Sequence, residues 1–186
     1  MQYPLVELCT GLIFATLFYK FQDIFFLSPF VFTATYAFYG IAFSILLVIA
    51  TYDLKHKIIP DMLSFLFGLL AFVGLFFFHS NSSPLFYFHI PTLLEFLSGI
   101  LIALPFALLW LVSGGRWMGL GDAKLALGIG WLLGITQALS GLVIAFWSGA
   151  IIGVALIFIS KNGKMKKLGM KSEIPFAPFL VFGAFV

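Results

Sequence analysis

Long apolar runs separated by short polar breaks are the dominant pattern along the chain. A helix needs about 20 mostly apolar residues to cross the hydrocarbon core of a bilayer. No linker or internal repeat divides the chain, so we expect residues 1–186 to form a single membrane-embedded domain. The pattern predicts an all-α fold, a polytopic transmembrane helical bundle of about seven spans, at residues 5–20, 29–51, 62–79, 91–113, 122–137, 138–160 and 174–186.

Proline residues mark several of the predicted span boundaries. Pro29 and Pro91 suit the first turn of a helix, where a missing N–H costs nothing. Pro60 is expected to stop the chain before Asp61, which is expected to be the N-cap of the third span. The final run, 174–186, holds only 13 residues. This length is short for a span, so we expect the last helix to be truncated, which favours a fragment.

The composition excludes most classes of soluble protein. Hydrophobic residues make up 62% of the chain and charged residues only 9%, whereas soluble domains carry about 25% charged residues. The lysines lie in short loops between the predicted spans, which argues against nucleic-acid binding. Cys9 is the only cysteine, so the chain cannot form an intrachain disulfide or a cysteine-based zinc cluster.

The basic residues predict the orientation in the membrane, because cytoplasmic loops carry an excess of lysine and arginine. If the N-terminus is cytoplasmic, so are the loops at 52–61, 114–121 and 161–173. Nine of the ten basic residues then fall on the cytoplasmic side, and Lys20 falls on the other. The nine are Lys55, Lys57, Arg116, Lys124, Lys161, Lys164, Lys166, Lys167 and Lys171.

Two of the seven acidic residues are expected at the same depth. Asp53 ends the second span and Asp122 begins the fifth, both on the expected cytoplasmic side. Carboxylates near hydrocarbon cost about 2.5–3.5 kcal/mol on insertion scales, which makes each of them a candidate for function. A pair suits peptide hydrolysis, since one ionised carboxylate activates water and one protonated carboxylate polarises the carbonyl.

The helix ends predict which carboxylate has which role. Asp122 follows Gly119 and Gly121 and is expected to be the N-cap of its helix, where the positive helix end favours the ionised form. Asp53 closes its helix, where the negative end favours the protonated form. We therefore expect Asp122 to be the base and Asp53 the acid in the resting protein.

Structural roles compete with this interpretation. Asp122 also suits a simple N-cap, and Asp53 also suits a counterion for a nearby lysine at the membrane surface. Glu7 and Glu95 lie within predicted spans, each near the inner end. They are candidates to line a polar cavity or to bond a neighbouring helix.

Other hydrolytic motifs are missing from the sequence. It contains no H-E-x-x-H zinc motif and no G-x-S-x-G nucleophile elbow. It also contains no glycine-rich nucleotide loop followed by Lys-Ser or Lys-Thr. Carboxylate chemistry is therefore the best-placed catalytic option.

Four segments resemble the motifs of the type IV prepilin peptidases, a family of GxGD-type aspartyl proteases. Residues 119–125 (GLGDAKL) are similar to G-x-G-D-x-K-L, and residues 53–61 (DLKHKIIPD) to a first aspartate motif in which six residues separate D from P-D. Residues 3–7 (YPLVE) resemble the segment entering the first catalytic span. Residues 174–179 (IPFAPF) resemble I-P-F-G-P-F, with Ala177 in place of glycine. Together the four motifs extend over nearly the whole chain.

The resemblance implies a role for each matched residue. It implies that Asp53 and Asp122 are catalytic and that Pro60 and Asp61 are structural. The two glycines of the GxGD motif would give the backbone freedom to bring the second aspartate to the substrate. No metal or other cofactor is implied. Support of the active site or of the substrate, including the charge of a leader peptide, is expected from Gly119, Gly121, Lys124, Glu7, Glu95 and Pro175.

The resemblance also implies partners and location. The implied substrates are prepilins and pseudopilins of pilus, secretion or DNA-uptake machines, cut after a short basic leader on the cytoplasmic face of the bacterial inner (plasma) membrane. The lipid bilayer is a second partner, nucleic acid is not, and the sequence is compatible with a homo-oligomer. Full-length relatives often carry an upstream segment with paired C-x-x-C motifs and methylate the new N-terminus. This sequence has no such segment, so we do not expect methyltransferase activity or S-adenosylmethionine binding.

Three alternatives stay open at this point. Another GxGD protease, such as a preflagellin or signal-peptide peptidase, shares the aspartates. A membrane transporter or assembly factor would use Asp53 and Asp122 to bind protons or cations. An inactive paralogue with a scaffold role is the third alternative.

Overall fold

The computed structural model describes residues 3–78, 88, 90–116, 118–161 and 175–186 of the chain. Within these residues the chain forms helices joined by short connections, and it contains no strand. The predicted all-α fold is therefore confirmed. The helices are α1 (Tyr3–Leu27), α2 (Pro29–His56), α3 (Asp61–Gly74), α4 (Leu93–Ser113), α5 (Leu120–Lys161) and α6 (Ala177–Phe185).

Four of these helices, α1, α2, α4 and α5, are long and apolar enough to cross a membrane. Together with the composition, they define a multi-pass membrane protein. α3 and α6 are shorter, with 14 and 9 residues. The prediction of about seven spans is thus approximate.

Several predicted boundaries need correction. α1 continues to Leu27, well beyond the predicted end at residue 20. Pro29 is the first residue of α2, as predicted, but Pro91 precedes the N-cap of α4 instead of lying in its first turn. The predicted end of the third span at residue 79, most of the loop at 80–90 and the basic loop beyond residue 161 lie outside the described residues.

α5 contains a residue with a non-helical backbone, Gly134, at φ 75° and ψ 170°. Gly130, before it, lies against Gly99 of α4, whereas Phe146, after it, stacks on Phe106, further along the same helix. The chain therefore reverses direction at Gly134, and α5 consists of two arms. The predicted separation into two helices is correct, but the reversal falls a few residues before the expected turn.

Glycine contacts hold the first arm of α5 against α4. A Cβ on Gly130 would lie 2.7 Å from the Cα of Gly99, so the two backbones touch. The hydroxyl of Ser98 donates to the carbonyl oxygen of Gly130 at 2.9 Å. Small residues and polar side chains are the usual means by which membrane helices associate. Because Asp122 lies at the start of this arm, the contact sets its depth relative to α4.

The second arm of α5 packs against α6 in the same way. A Cβ on Gly141 would lie 2.5 Å from the carbonyl oxygen of Gly183. Phe185 of α6 also packs edge-on against Phe43 of α2, with 5.7 Å between the ring centroids. α6 is thereby held between α5 and α2, with its first residue, Ala177, beside the end of α2. The end of α2 and the beginnings of α5 and α6 therefore meet at one end of the bundle.

We predict that Gly130→Ala destabilises the bundle. The added methyl group would lie 2.7 Å from the Cα of Gly99 and 2.8 Å from the carbonyl oxygen of Ser98, and both are backbone atoms that cannot easily yield. Overpacking of this kind costs about 1–3 kcal/mol, so thermal unfolding in detergent should show a lower Tm. Gly11→Ala is the matched control, because its methyl group would meet no atom within 4 Å. Equal Tm values for the two variants would contradict the tight contact.

Candidate active site

Two aspartates share one cavity at the end of the bundle where α2 ends and α5 begins. Asp53 lies in the last turn of α2 and Asp122 in the first turn of α5, and they are 5% and 8% exposed. The two carboxylates are near enough to repel each other when both are charged. The cavity measures about 510 Å³. Its lining also includes Lys57, Ile59, Asp61, Arg116, Met118, Gly119, Gly121, Lys124, Pro175 and Phe176.

The end of α2 is formed by Lys57, whose backbone is left-handed at φ 55° and ψ 33°. Its N–H donates to the carbonyl oxygen of Asp53 at 2.7 Å, so the turn that closes the helix starts from the aspartate itself. Pro60 then takes the N-cap position of α3, in an extended conformation. A lysine rarely adopts a left-handed backbone, which is why sequence reasoning missed this turn.

The start of α5 corrects the prediction that Asp122 is an N-cap. The helix begins at Leu120, so Asp122 lies inside its first turn. The backbone N–H of Asp122 donates to the carbonyl oxygen of Gly119 at 3.3 Å. The side chain is still close to the positive end of the helix, as expected.

Gly119 and Gly121 contribute space rather than unusual backbone angles. Neither has the positive φ that favours glycine. The predicted freedom of the backbone to bring Asp122 to the substrate stays a prediction. A Cβ on Gly121 would lie 2.9 Å from the Cβ of Ile59, whereas a Cβ on Gly119 would be in ordinary contact, 3.7 Å from Asp122 Oδ2. Gly121 therefore allows the connection that follows Asp53 to pass close to α5.

The two carboxylates have different surroundings. The N–H of Ala177, the first residue of α6, donates to Asp53 Oδ2 at 3.3 Å. Ala177 is completely buried, and Pro175, just before it, lines the cavity. By contrast, Asp122 Oδ1 is buried and has no hydrogen-bond partner among the described residues. The backbone of Gly119 in turn donates to the carboxylate of Asp122. Each carboxylate thus has a backbone donor, and Asp122 is distinguished by its buried Oδ1, which has no partner among the described residues.

Asp61 lies at the rim of the cavity in an ion pair, which corrects its predicted role as an N-cap. It is the first residue of α3, and its side chain makes no capping hydrogen bond. Its Oδ1 instead accepts a hydrogen bond from Lys124 Nζ at 2.6 Å, and the two side chains are 79% and 44% exposed. An exposed pair of this kind is worth only about 0.2–1 kcal/mol. Its main effect is to connect α3 to α5 across the rim.

Glu7 and Glu95 do not line the aspartate cavity. Glu7 is exposed near the start of α1. Glu95 is at the start of α4, in a capping box in which the N–H of Thr92 donates to Glu95 Oε2 at 2.8 Å. The prediction that Glu95 lies near the inner end is wrong, because the other end of α4 leads to the aspartates. Glu95 lines a separate cavity of about 420 Å³, together with Lys20.

Sequence reasoning also missed the role of the backbone in this site. The donor to Asp53 is the main-chain N–H of Ala177, and a main-chain group leaves no trace in residue identity. Arg116 and Phe176 also line the cavity. Arg116 lies three residues before the GxGD motif and Phe176 lies within residues 174–179 (IPFAPF), and these positions were the only sequence signals for them. In the described part of the chain, no three His, Cys, Asp or Glu side chains are grouped to hold a metal ion. What the cavity offers is acid–base chemistry by two adjacent carboxyl groups.

Comparison with known proteins gives the class of the chain. The sequence model of the type IV leader peptidase family matches residues 40–154, a range that includes both aspartates. The chain belongs to this family of peptidases. It is similar to the prepilin leader peptidase/N-methyltransferase of Xanthomonas campestris pv. campestris, with 27% identity over 194 aligned positions. The alignment covers 100% of this chain and 58% of that relative, so the chain spans little more than half of its length. No solved structure matches the chain.

We predict that Gly121→Ala impairs the site more than Gly119→Ala. The first substitution pushes against Ile59 at 2.9 Å, and the second adds an ordinary contact at 3.7 Å. A displacement of under 1 Å at a catalytic group can cost about tenfold to a hundredfold in rate. Cleavage rates of the two variants, measured beside their Tm values in detergent, check this order. An equal loss in both would count against the steric argument.

Proposed function

We propose that the chain is a membrane aspartic endopeptidase that removes the leader peptide from type IV prepilins or pseudopilins, with Asp53 and Asp122 as the catalytic pair. The observation that carries this proposal is the placement of two buried carboxylates, from different helices, on one cavity of a membrane bundle. Membership of the leader peptidase family supports the reaction, and the similarity to a prepilin leader peptidase/N-methyltransferase supports the substrate class.

The distribution of basic residues supports a site at the cytoplasmic face of the bacterial plasma membrane. Lys55, Lys57, Arg116 and Lys124 lie at the same end of the bundle as the aspartates. Lys20 lines the cavity at the opposite end. Since basic residues concentrate on the cytoplasmic side, the aspartate cavity faces the cytoplasm. A basic leader then reaches the site from water, while the apolar helix that follows it stays in the bilayer.

The contacts favour an assignment of acid and base opposite to the one predicted from the helix ends. Asp53 lies in the last turn of α2 but also contacts the first residue of α6, whereas Asp122 lies in the first turn of α5. A negative and a positive helix end therefore oppose each other at Asp53, and the helix dipoles alone do not assign the roles. The backbone donors do not separate them either, because Asp53 accepts from Ala177 and Asp122 accepts from Gly119, and each bond stabilises the ionised form. The unpartnered Oδ1 of Asp122 favours the neutral form. Asp53 is therefore the base and Asp122 the acid of the resting enzyme.

This assignment gives a complete cycle of proton transfers. Asp53 takes a proton from water as the water oxygen attacks the scissile carbonyl carbon, and Asp122 gives its proton to the carbonyl oxygen. When the resulting diol collapses, Asp53 returns its proton to the leaving nitrogen, and Asp122 takes one back from a diol hydroxyl. The peptide bond is broken, one water is consumed, and both carboxyl groups return to their starting states.

We predict that Asp53→Asn and Asp122→Asn each abolish cleavage. Removing a general acid or base costs about 10²–10⁴-fold in rate. The assay uses the protein in liposomes and a prepilin-type substrate with a basic leader that ends in glycine. Asp61→Asn is the matched control, because it removes a carboxylate from the same cavity but breaks only an exposed ion pair. It should keep its activity within a few-fold.

Two outcomes of this assay count against the proposal. Cleavage by a folded Asp53→Asn or Asp122→Asn variant would remove that residue from the catalytic pair. If folded wild-type protein leaves the substrate intact, while proton or cation flux across the liposomes depends on the two aspartates, the chain is a transporter instead.

We also predict that Ala177→Pro changes the pH dependence of cleavage. Proline has no N–H, so Asp53 loses the donor that stabilises its ionised form. The base then needs a higher pH to ionise, and the acidic limb of the pH–rate profile should move to higher pH. Ala177→Gly keeps the N–H and should leave the profile in place. Each profile is scaled to its own maximum, so that a loss of folded protein does not imitate the shift. Superimposable profiles for the two variants would refute the donor role.

A further inference from the structure

A second groove opens beside the aspartate cavity, on the outside of the bundle between α3 and α5. It has a volume of about 620 Å³. One face of α3, from Asp61 to Phe72, forms one wall, and α5 from Lys124 to Trp131 forms the other. We call it the α3–α5 groove.

The groove is polar at its mouth and apolar beyond it. The mouth is the ion pair of Asp61 and Lys124, which also lines the aspartate cavity, so the two spaces adjoin at this pair. Phe65 and Leu69 follow along the wall and are 71% and 53% exposed. The hydroxyl of Ser64 is satisfied within α3, because it donates to the carbonyl oxygen of Asp61 at 3.0 Å. Past the mouth, the groove therefore presents apolar surface.

The far end of the groove is closed by two aromatic rings. Phe72 and Trp131 meet edge to face, with 5.0 Å between their centroids. Trp131 Nε1 donates to the carbonyl oxygen of Phe96 at 3.0 Å, so the polar atom of the indole is occupied by α4. From Asp61 to Phe72 the wall is about 16 Å long at 1.5 Å per residue, which is about three helical turns.

Gly68 lies midway along the wall; it is buried, and its Cα lies against Gly128 of α5, but the direction of its Cβ is open. A Cβ placed on Gly68 would meet no atom within 4 Å. Small residues at this kind of position allow the backbone of another helix to approach closely in a membrane. The groove thus has the length, polarity and open floor that suit an apolar helix.

We infer that the α3–α5 groove binds the first three turns of the substrate's apolar helix, next to the bond that is cut. This inference rests on the proposed function. A prepilin-type substrate changes from a basic leader to an apolar helix at the cleavage site, and the protein changes from the charged aspartate cavity to the apolar groove at the Asp61–Lys124 pair. The change in the substrate and the change in the protein fall at the same place. A substrate whose scissile bond lies at the aspartates would therefore place its apolar helix in the groove.

The test is a comparison of Gly68→Leu with Gly68→Ala and Gly11→Leu. Leucine at position 68 fills the groove, and its Cβ meets no atom. Alanine at the same position controls for the gain in helix propensity. Gly11→Leu places the same side chain at another helical glycine with open space around it. Two synthetic peptides share a basic leader ending in glycine, followed either by a 20-residue apolar helix or by a short polar tail. For the helix peptide, Gly68→Leu should raise KM by about tenfold or more with little change in kcat. The polar-tail peptide should be cut equally by all variants.

A cross-linking experiment measures whether the helix peptide binds in the groove, without relying on cleavage. In a Cys9→Ala, Asp122→Asn background, Phe65→Cys places a thiol in the groove, and Leu66→Cys places one on the neighbouring exposed surface of α3. The helix peptide carries one cysteine in its second apolar turn. A disulfide should form with the thiol at position 65 and not with that at position 66.

The outcomes separate the inference from the proposed function. A normal KM for Gly68→Leu, or equal cross-linking at positions 65 and 66, would overturn the inference. Cleavage by wild-type protein would still support the peptidase. If wild-type protein cuts neither peptide, the proposed function is wrong. The cross-link at position 65 alone then decides whether the groove binds an apolar helix.

Discussion

Two carboxyl groups buried side by side are the constraint on which the rest of the structure depends. A single buried carboxylate is costly, and a second one beside it makes full ionisation of the pair more costly still. The pair is most easily held when the two groups share one proton. The Ala177 N–H on Asp53 and the unpartnered oxygen of Asp122 bias that proton toward Asp122. The two side chains are chemically identical, and it is their surroundings that favour different protonation states.

The position of the Ala177 N–H depends on contacts distant from the cavity. The touching backbones of Gly130 and Gly99 set the depth of the arm that carries Asp122. The contact of Gly141 with Gly183 holds α6, whose first residue supplies the N–H to Asp53. Bulky side chains at these crossings would separate the helices by more than a hydrogen bond can span. These glycine contacts between the helices therefore help to hold the two aspartates in position.

The sequence predicted the aspartate pair because apolar runs and basic residues determine which helix ends lie on the same side. The sequence-based prediction was wrong where a side chain binds a partner distant in sequence instead of following a rule for local structure. Asp61 fits the N-cap rule, yet its carboxylate pairs with Lys124, 63 residues away. Glu95 was placed at the wrong end, and its carboxylate serves the local capping box. The left-handed turn at Lys57 and the donor at Ala177 are backbone features, which side-chain identity does not encode.

The ion pair between Asp61 and Lys124 has a further consequence for how the molecule responds to its surroundings. Both side chains are exposed to solvent, and at 0.1 M salt the Debye length is only about 10 Å. Dissolved ions therefore weaken this pair, whereas they reach the buried aspartates far less. Away from the rim, α3 and α5 stay packed through Gly128, on which a Cβ would lie 2.6 Å from Phe67, so rising ionic strength loosens only their connection at the rim. The rim of the aspartate cavity is thus more sensitive to salt than the two buried carboxyl groups.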